Sequence, residues 1–265
     1  MTDLATPAPT QMRRPPMRAW TLTVVDAFDI TPRMRRVRLI GEDLEGFAFK
    51  PGQDLVLNLP QPGGDTLRRH YTIRTYDPAE QRLEIDFVLH GDSPAVRWAK
   101  AAKLGDGVEA HGPRGRTMVN HAADWHLFVG DETCLPGINA MIESLPTGSR
   151  AMAILETWDA DEHQTPETRA ALDIEWFHRG GPAAASSALL IDRLGLFAPP
   201  PGLGHAYVIG ETSTVRAIRQ GLIAKGFPRD RITAEGYWRP GRVGGHDHVF
   251  DVQDVPGEVV RRFRG

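Results

Sequence analysis

Arg68-Arg69-His70-Tyr71-Thr72-Ile73-Arg74 is the stretch on which the reading of this chain turns. Successive side chains of a strand point to opposite faces, so Arg68, His70, Thr72 and Arg74 make one coherent polar face and leave Arg69, Tyr71 and Ile73 on the other. Arg69 is the misfit. If its face is covered, it needs an anion, because a buried unpaired guanidinium is costly. Alternatively its stem packs while its head reaches solvent. The strand pattern alone leaves both readings open.

Working outward, the neighbouring segments up to residue 122 share the same rhythm. Trp20, Leu22 and Val24 alternate with polar residues, and Leu55, Leu57 and Leu59 alternate with Asp54, Val56 and Asn58. Leu83, Ile85, Phe87 and Leu89 line one side of a run whose other side holds Arg82, Glu84, Asp86 and His90. Closely spaced period-two segments predict an antiparallel sheet closed into a small barrel. Arg33, Arg35, Arg36 and Arg38 read as the charged outer face of one strand. One helix interrupts the β pattern at Pro94 to Lys103, where Asp92 or Ser93 can cap and Pro94 suits the first turn.

Beyond residue 122 the rhythm changes. Apolar runs at Trp125 to Val129, Ala151 to Leu155, Ile174 to His178, Tyr207 to Ile209 and Ile232 to Trp238 alternate with helical stretches at Cys134 to Leu145, Ala183 to Leu194 and Ser213 to Lys225. That alternation predicts a parallel sheet with crossover helices. The chain thus divides into an all-β domain at 17–122 and an α/β domain at 123–265, whose tail from Pro240 onward is Gly-rich and then charged. Ligands of open α/β sheets bind beyond the carboxyl ends of the strands, which directs attention to the cleft between the domains.

Composition excludes several classes. With 31 Lys and Arg against 34 Asp and Glu in 265 residues, the net charge is -3, so there is no global basic field for nucleic acid. Cys134 is the single cysteine, which rules out an intrachain disulfide and a cysteine-built metal site. Neither a secretory leader at Met1 to Pro16 nor an apolar run long enough to span a membrane is seen, so a cytoplasmic protein is expected, and a monomer. His246-Asp247-His248 reads as a solvated loop rather than an iron site, so no resident metal is expected.

Beyond its general pattern, the chain resembles the siderophore-interacting protein family, a branch of the ferredoxin-reductase-like flavoproteins. The resemblance rests on Arg69-His70-Tyr71-Thr72, similar to an Arg-x-Tyr-Ser/Thr flavin motif, and on Asp86-Phe87-Val88-Leu89-His90-Gly91-Asp92 followed by Pro94-Ala95-Val96-Arg97-Trp98-Ala99. It continues with Gly112-Pro113-Arg114-Gly115, Gly130-Asp131-Glu132-Thr133, Gly210-Glu211-Thr212 and Gly236-Tyr237-Trp238-Arg239, in family order across residues 18 to 240.

What the resemblance implies is an antiparallel six-stranded Greek-key β-barrel that holds FAD, followed by a ferredoxin-reductase-type α/β domain that takes NAD(P)H. Tyr71 would stack on the isoalloxazine, Thr72 would hydrogen-bond near flavin N5, and these two form the catalytic pair. Arg69 would neutralise the pyrophosphate with help from the amino end of the helix at Ser93, Pro94 and Ala95. His70, Asp86, Phe87 and His90 would lie near the flavin, although Asp86 and His90 read equally well as polar residues on the exposed side of a strand. Gly130, Asp131, Glu132, Thr133, Gly210, Glu211, Tyr237 and Trp238 would form the nucleotide side, without a full G-x-G-x-x-G fingerprint. For the ribose, Glu156, Asp159 and Asp161 would suit a 2′-hydroxyl and Arg179 a 2′-phosphate. A ferric siderophore, bulky and often anionic, would meet Arg239, Arg114, Arg116 and Lys50. The activity implied is an NAD(P)H-dependent ferric-siderophore reductase that lowers Fe(III) to Fe(II). One departure stands out: Val56 occupies the position of a lysine found in many family members. It leaves room for a flavin oxidoreductase with another acceptor, and a non-catalytic cytosolic siderophore-binding protein is a third reading.

Overall fold

The alternating runs of the first half become strands whose apolar sides share one core. The computed structural model describes residues 17–61, 63–181 and 184–241, with the backbone of 247 and 248. Within it, β1 (Ala19–Thr31), β2 (Met34–Ile40), β3 (Asp54–Pro60), β4 (Thr66–Thr72), β5 (Thr75–Asp77), β6 (Arg82–Val88) and β7 (Gly107–Arg114) build one sheet in the order β4-β3-β7-β1-β2-β6-β5. All its pairings are antiparallel. Leu22, Val37, Leu57, Ile85 and Phe87 are fully shielded in its core. Each such side chain contributes about 1.5–3 kcal/mol by leaving water.

The expected six-stranded barrel is thus a seven-stranded sheet that is not hydrogen-bonded into a closed ring. The reason lies at Ile73-Arg74. The Ile73 amide donates to the Gln53 carbonyl at 2.9 Å, whereas the next amide, that of Arg74, donates to the Glu84 carbonyl at 2.9 Å. Within one residue the chain exchanges β3 for β6 as its partner, which leaves β4 and β5 on opposite edges of the sheet. Helix α1 (Pro94–Ala101) packs Ala95 and Ala99 against this core and is capped by Ser93, whose Oγ accepts the Val96 amide at 3.2 Å.

The second sheet contains β8 (Trp125–Asp131), β9 (Arg150–Thr157), β10 (Ala171–His178), β11 (Gly204–Glu211), β12 (Ile232–Trp238) and β13 (Asp247–His248), ordered β10-β9-β8-β11-β12-β13. Its first five positions are parallel and β13 is antiparallel to β12. Helix α2 (Leu135–Glu143) covers one face, while α3 (Leu189–Gly195) and α4 (Thr212–Ala224) cover the other. Two helical expectations shorten. The first opens with a 3-10 turn at Glu132–Cys134 before α2, and Ala183 to Leu194 becomes a 3-10 turn at Ala184–Ser186 followed by α3. There Ser187 interrupts the helix, its hydroxyl donating to Glu156 at 2.7 Å and accepting the Leu189 amide at 3.3 Å. Residues 182 and 183 lie outside the described residues.

The core under α2 also takes in Met34 from β2, with Ile30 and Val88 packed on it, so the two sheets share an apolar contact. Among the described residues no helix is long and apolar enough to cross a membrane. His246 lies outside the described residues, and of His248 only the backbone pairing with Glu235 is described.

Candidate functional site

Strand β4 presents Tyr71 as a half-buried ring. Its centroid lies 4.2 Å from that of Phe87, and Phe87 in turn lies 5.5 Å from Trp98. Burial pushes the Tyr71 phenol well above its ordinary value, so the ring stays neutral. Phe87 is fully enclosed. It packs against the Tyr71 ring from within the core. The buried carboxylate of Asp86 is gripped by Arg36 at 2.7 and 2.9 Å. Equal cross-strand register between Arg36 and Asp86 puts the two side chains on one face of the sheet.

Arg69 has a different environment. Its NH1 donates to the Arg68 carbonyl at 2.8 Å, and among the described residues no carboxylate pairs with it. A cation without an anion, beside a half-buried aromatic ring, fits a ligand that combines a flat ring system with a diphosphate, as FAD does. Ser93 is spent on capping α1, with Pro94 and Ala95 in the first turn behind it. His70 Nδ1 lies 2.9 Å from Asp54 Oδ2, so that imidazole is held by β3. His90 is exposed, and its ring centroid lies 5.9 Å from that of Trp238, which brings two expected site residues together from separate sheets.

Thr72 marks the meeting of the two sheets. It is buried and shares a side-chain hydrogen bond with Tyr237 of β12. Gly137 of α2 leaves it room: a Cβ there would come within 3.3 Å of Thr72 Cγ2. Two residues further on, Arg74 makes a two-pronged ion pair with Glu143 at the end of α2, both contacts at 2.6 Å. The strand that carries the flavin-like motif is thereby docked on the first helix of the α/β half.

At the carboxyl ends of the parallel strands the expected glycines serve protein contacts. A Cβ on Gly130 would lie 2.1 Å from Cys134 Sγ and 2.3 Å from the Ile209 carbonyl, so this glycine lets Cys134 and β11 close in. Gly210, at φ 136, leaves space for the Asp131 carboxylate. Asp131 is a buried hub. Its Oδ1 accepts the Thr133 amide at 2.9 Å, and its Oδ2 accepts the Glu211 amide at 2.7 Å and the Trp238 indole N–H at 3.2 Å. Burial, reinforced by Glu132, raises its pKa. Asp131 positions Thr133 and Trp238. Glu211 likewise caps α4, accepting the Thr214 amide at 2.8 Å. Glu132 makes a two-pronged ion pair with Arg179, which also stands 3.6 Å from Glu156.

His90, Gly91, Glu132, Thr133, Trp158 and Trp238 are among the residues lining a cleft of about 380 Å³ between the sheets. Arg33 enters its wall with its guanidinium 4.6 Å from the Trp158 ring and with Asp159 and Glu162 at 3.2 and 3.3 Å. Beside the Thr72 junction, Asp54 pairs in register with both Thr72 and Arg114. Arg114 Nε stands 3.5 Å from the Asp54 carboxylate, and Lys50 and Arg116 are exposed nearby in sequence. Arg239 is exposed just past β12. Val56 is 1% exposed, so this position is apolar and enclosed.

Sequence reasoning missed Arg36, Arg74, Glu143, Arg33 and Trp158. A signal existed for the first: Arg36 and Arg38 on one period-two run complement Glu84 and Asp86 on another, which is what two paired strands require. None existed for Arg74 with Glu143, which are separated by 69 positions and joined only by the docking of two domains.

Comparison with known proteins places these features in a family. Residues 123–241 match the model for siderophore-interacting protein, and residues 60–117 match the model for the siderophore-interacting FAD-binding domain. The chain is 32% identical over 235 residues to the ferric vibriobactin reductase ViuB of Vibrio cholerae, covering 80% of this chain and 86% of that protein. It is similar to the structure of a siderophore utilization protein from T. fusca, with a TM-score of 0.82 at 32% identity over 89% of this chain and 98% of the other. The siderophore-interacting protein SipS from Aeromonas hydrophila gives a TM-score of 0.76 at 29% identity over 86% and 94% of the respective chains. A motif strand docked on a parallel sheet, matched along both halves, means that this chain belongs to the siderophore-interacting protein family.

Proposed function

We propose that the chain is an FAD-containing, NAD(P)H-dependent reductase of ferric siderophores, which releases iron by converting Fe(III) chelates to Fe(II). The observation that carries this reading is the junction at Thr72, where the Arg69–Thr72 strand meets Tyr237 and the carboxyl ends of the parallel sheet. Likeness to ferric vibriobactin reductase supports the acceptor class.

Bound FAD supplies the exchange between a two-electron nicotinamide donor and a one-electron iron acceptor. In this reading Tyr71 offers the stacking face, Arg69 balances the diphosphate, and the amino end of α1 adds its amides and dipole. Thr72 and Tyr237 present hydroxyls at the domain junction, and the bulk of Phe87 and Trp98 keeps water from the rear of Tyr71. His90, Thr133 and Trp238 form walls of the cleft that receives the nicotinamide nucleotide. Arg114, Arg116, Lys50 and Arg239 supply a positive rim for an anionic chelate.

An anaerobic visible spectrum of the purified protein tests the reading. A flavin spectrum should bleach on titration with a nicotinamide nucleotide and recover when a ferric siderophore is added. Protein that lacks flavin and takes up none when offered FAD overturns the proposal, and the same result would favour a non-catalytic siderophore-binding protein. The buried Val56 keeps a second acceptor in view. Flavin that is reoxidised by a quinone or free flavin, and not by any ferric chelate, would establish that alternative.

A further inference from the structure

Among the described residues, both guanidinium groups that enter the cleft wall are already engaged by two carboxylates each. Arg179, whose side chain is 5% exposed, is held on both terminal nitrogens by Glu132 and stands 3.6 Å from Glu156. Arg33 shares one nitrogen between Asp159 and Glu162 and rests its plane on Trp158. Burial raises the Glu156 pKa, yet even a neutral Glu156 leaves three carboxylates against two guanidiniums. The 2′-phosphate of NADPH would bring about 1.5–2 further negative charges into this wall. A ribose 2′-hydroxyl brings none, and can donate a hydrogen bond to a carboxylate at a strand's carboxyl end. Asp159 follows β9 with 41% of its side chain exposed, and is accessible for that role.

We infer that the nicotinamide donor is NADH and not NADPH, and that Glu132 sets this choice by occupying the guanidinium of Arg179. The inference rests on reading the cleft as the nicotinamide nucleotide site. Glu132 acts through Arg179 and is a positioning residue, whose side chain decides whether that arginine is available to a phosphate. Charged groups facing Arg179 come from the 3-10 turn after β8 and from β9, so the choice is made by three neighbouring strand ends together.

Binding separates this inference from turnover. ADP-ribose and its 2′-phosphorylated form would be titrated into the flavin-loaded protein, with quenching of Trp158 and Trp238 as the readout and with NADH and NADPH reduction rates measured beside it. Wild type should bind ADP-ribose at least about tenfold more tightly than the 2′-phosphate. Glu132→Gln should close most of that gap by strengthening binding of the 2′-phosphate relative to ADP-ribose. Asp159→Asn is the second variant, because it lies on the surface; it should weaken ADP-ribose and leave the 2′-phosphate no worse. Equal or tighter wild-type binding of the 2′-phosphate overturns the inference while sparing the reductase reading. Binding of neither nucleotide, with no flavin reduction by NADH or NADPH, overturns the donor reading and this inference with it.

Discussion

Acidification should unfold this protein through two imidazoles at the amino ends of its central strands. His126 of β8 and His205 of β11 flank Tyr207, whose ring centroid is 6.1 Å from His126 and 4.7 Å from His205. Their exposures are 3% and 6%. Asn120 Nδ2 lies 3.1 Å from His205 Nδ1 and Thr233 Oγ1 lies 2.9 Å from His205 Nε2, so a neutral imidazole with its proton on Nε2 satisfies both neighbours. Burial, with a smaller push from His121, lowers the His126 pKa to about 4, and burial, with His126 and Arg231, lowers that of His205 to about 4. The unfolded chain takes up these protons near 6.5, the ordinary histidine value. Both shifts are downward, so their stabilisation is complete above about pH 6.5 and is lost as the pH falls toward 4. At about pH 5 each histidine costs roughly 2 kcal/mol, a large share of a typical folding free energy of about 5–15 kcal/mol.

Urea unfolding at about pH 7.5 and about pH 5 reads this loss directly. His126→Phe places a ring of similar shape beside the stacked Phe128 and Tyr207 rings and sacrifices a weak 3.5 Å contact with the Tyr207 hydroxyl. The variant should lose about 2 kcal/mol less than wild type between the two conditions. Titrating groups that do not interact with His126 cancel in that difference, and His205, whose pKa His126 helps to lower, moves it in the same direction. An identical pH dependence in the two proteins would show that His126 does not resist protonation in the fold.

Four further outcomes are expected. Tyr71→Ala should purify with far less FAD than Arg35→Ala, since Arg35 is engaged by Asp29 at 2.6 Å and the Ala27 carbonyl at 3.0 Å; equal flavin content would remove Tyr71 from the site. Asp131→Ala should lower stability by about 3 kcal/mol, because the Thr133 and Glu211 amides and the Trp238 indole lose their acceptor; a loss within about 0.5 kcal/mol in denaturant would contradict the hub. A double-mutant cycle on Arg74→Gln and Glu143→Gln should give about 1–3 kcal/mol of coupling, given side-chain exposures of only 11% and 22%; additive losses would mean that the ion pair does not join the domains. Arg239→Ala should raise the apparent KM for an anionic ferric chelate without changing flavin content, and unchanged kinetics would take Arg239 out of the acceptor rim.

The amino-acid sequence determined what depends on near neighbours. Period-two runs specified the strands of the first half, alternation of apolar runs with helical stretches specified the parallel sheet of the second, and Ser93-Pro94 specified the start of α1. Arg69 was legible as a cation in need of an explanation because a single strand suffices to show which side chains share its face. Tertiary structure decided the rest. Asp86 and Phe87 lie in the motif stretch, yet which of the motif's side chains face inward depends on Arg36, 50 positions away, and on the ring of Tyr71. Gly130 and Gly210 looked like phosphate-loop glycines, and only the approach of Cys134, the Ile209 carbonyl and Asp131 shows what fills the space beside them. Whether Arg179 is free to meet a phosphate is likewise invisible in its own segment, because the carboxylate that occupies it stands 47 positions earlier on another strand end. Local periodicity follows from backbone geometry, whereas the partner of a buried charge is chosen by the packing of elements distant in the chain.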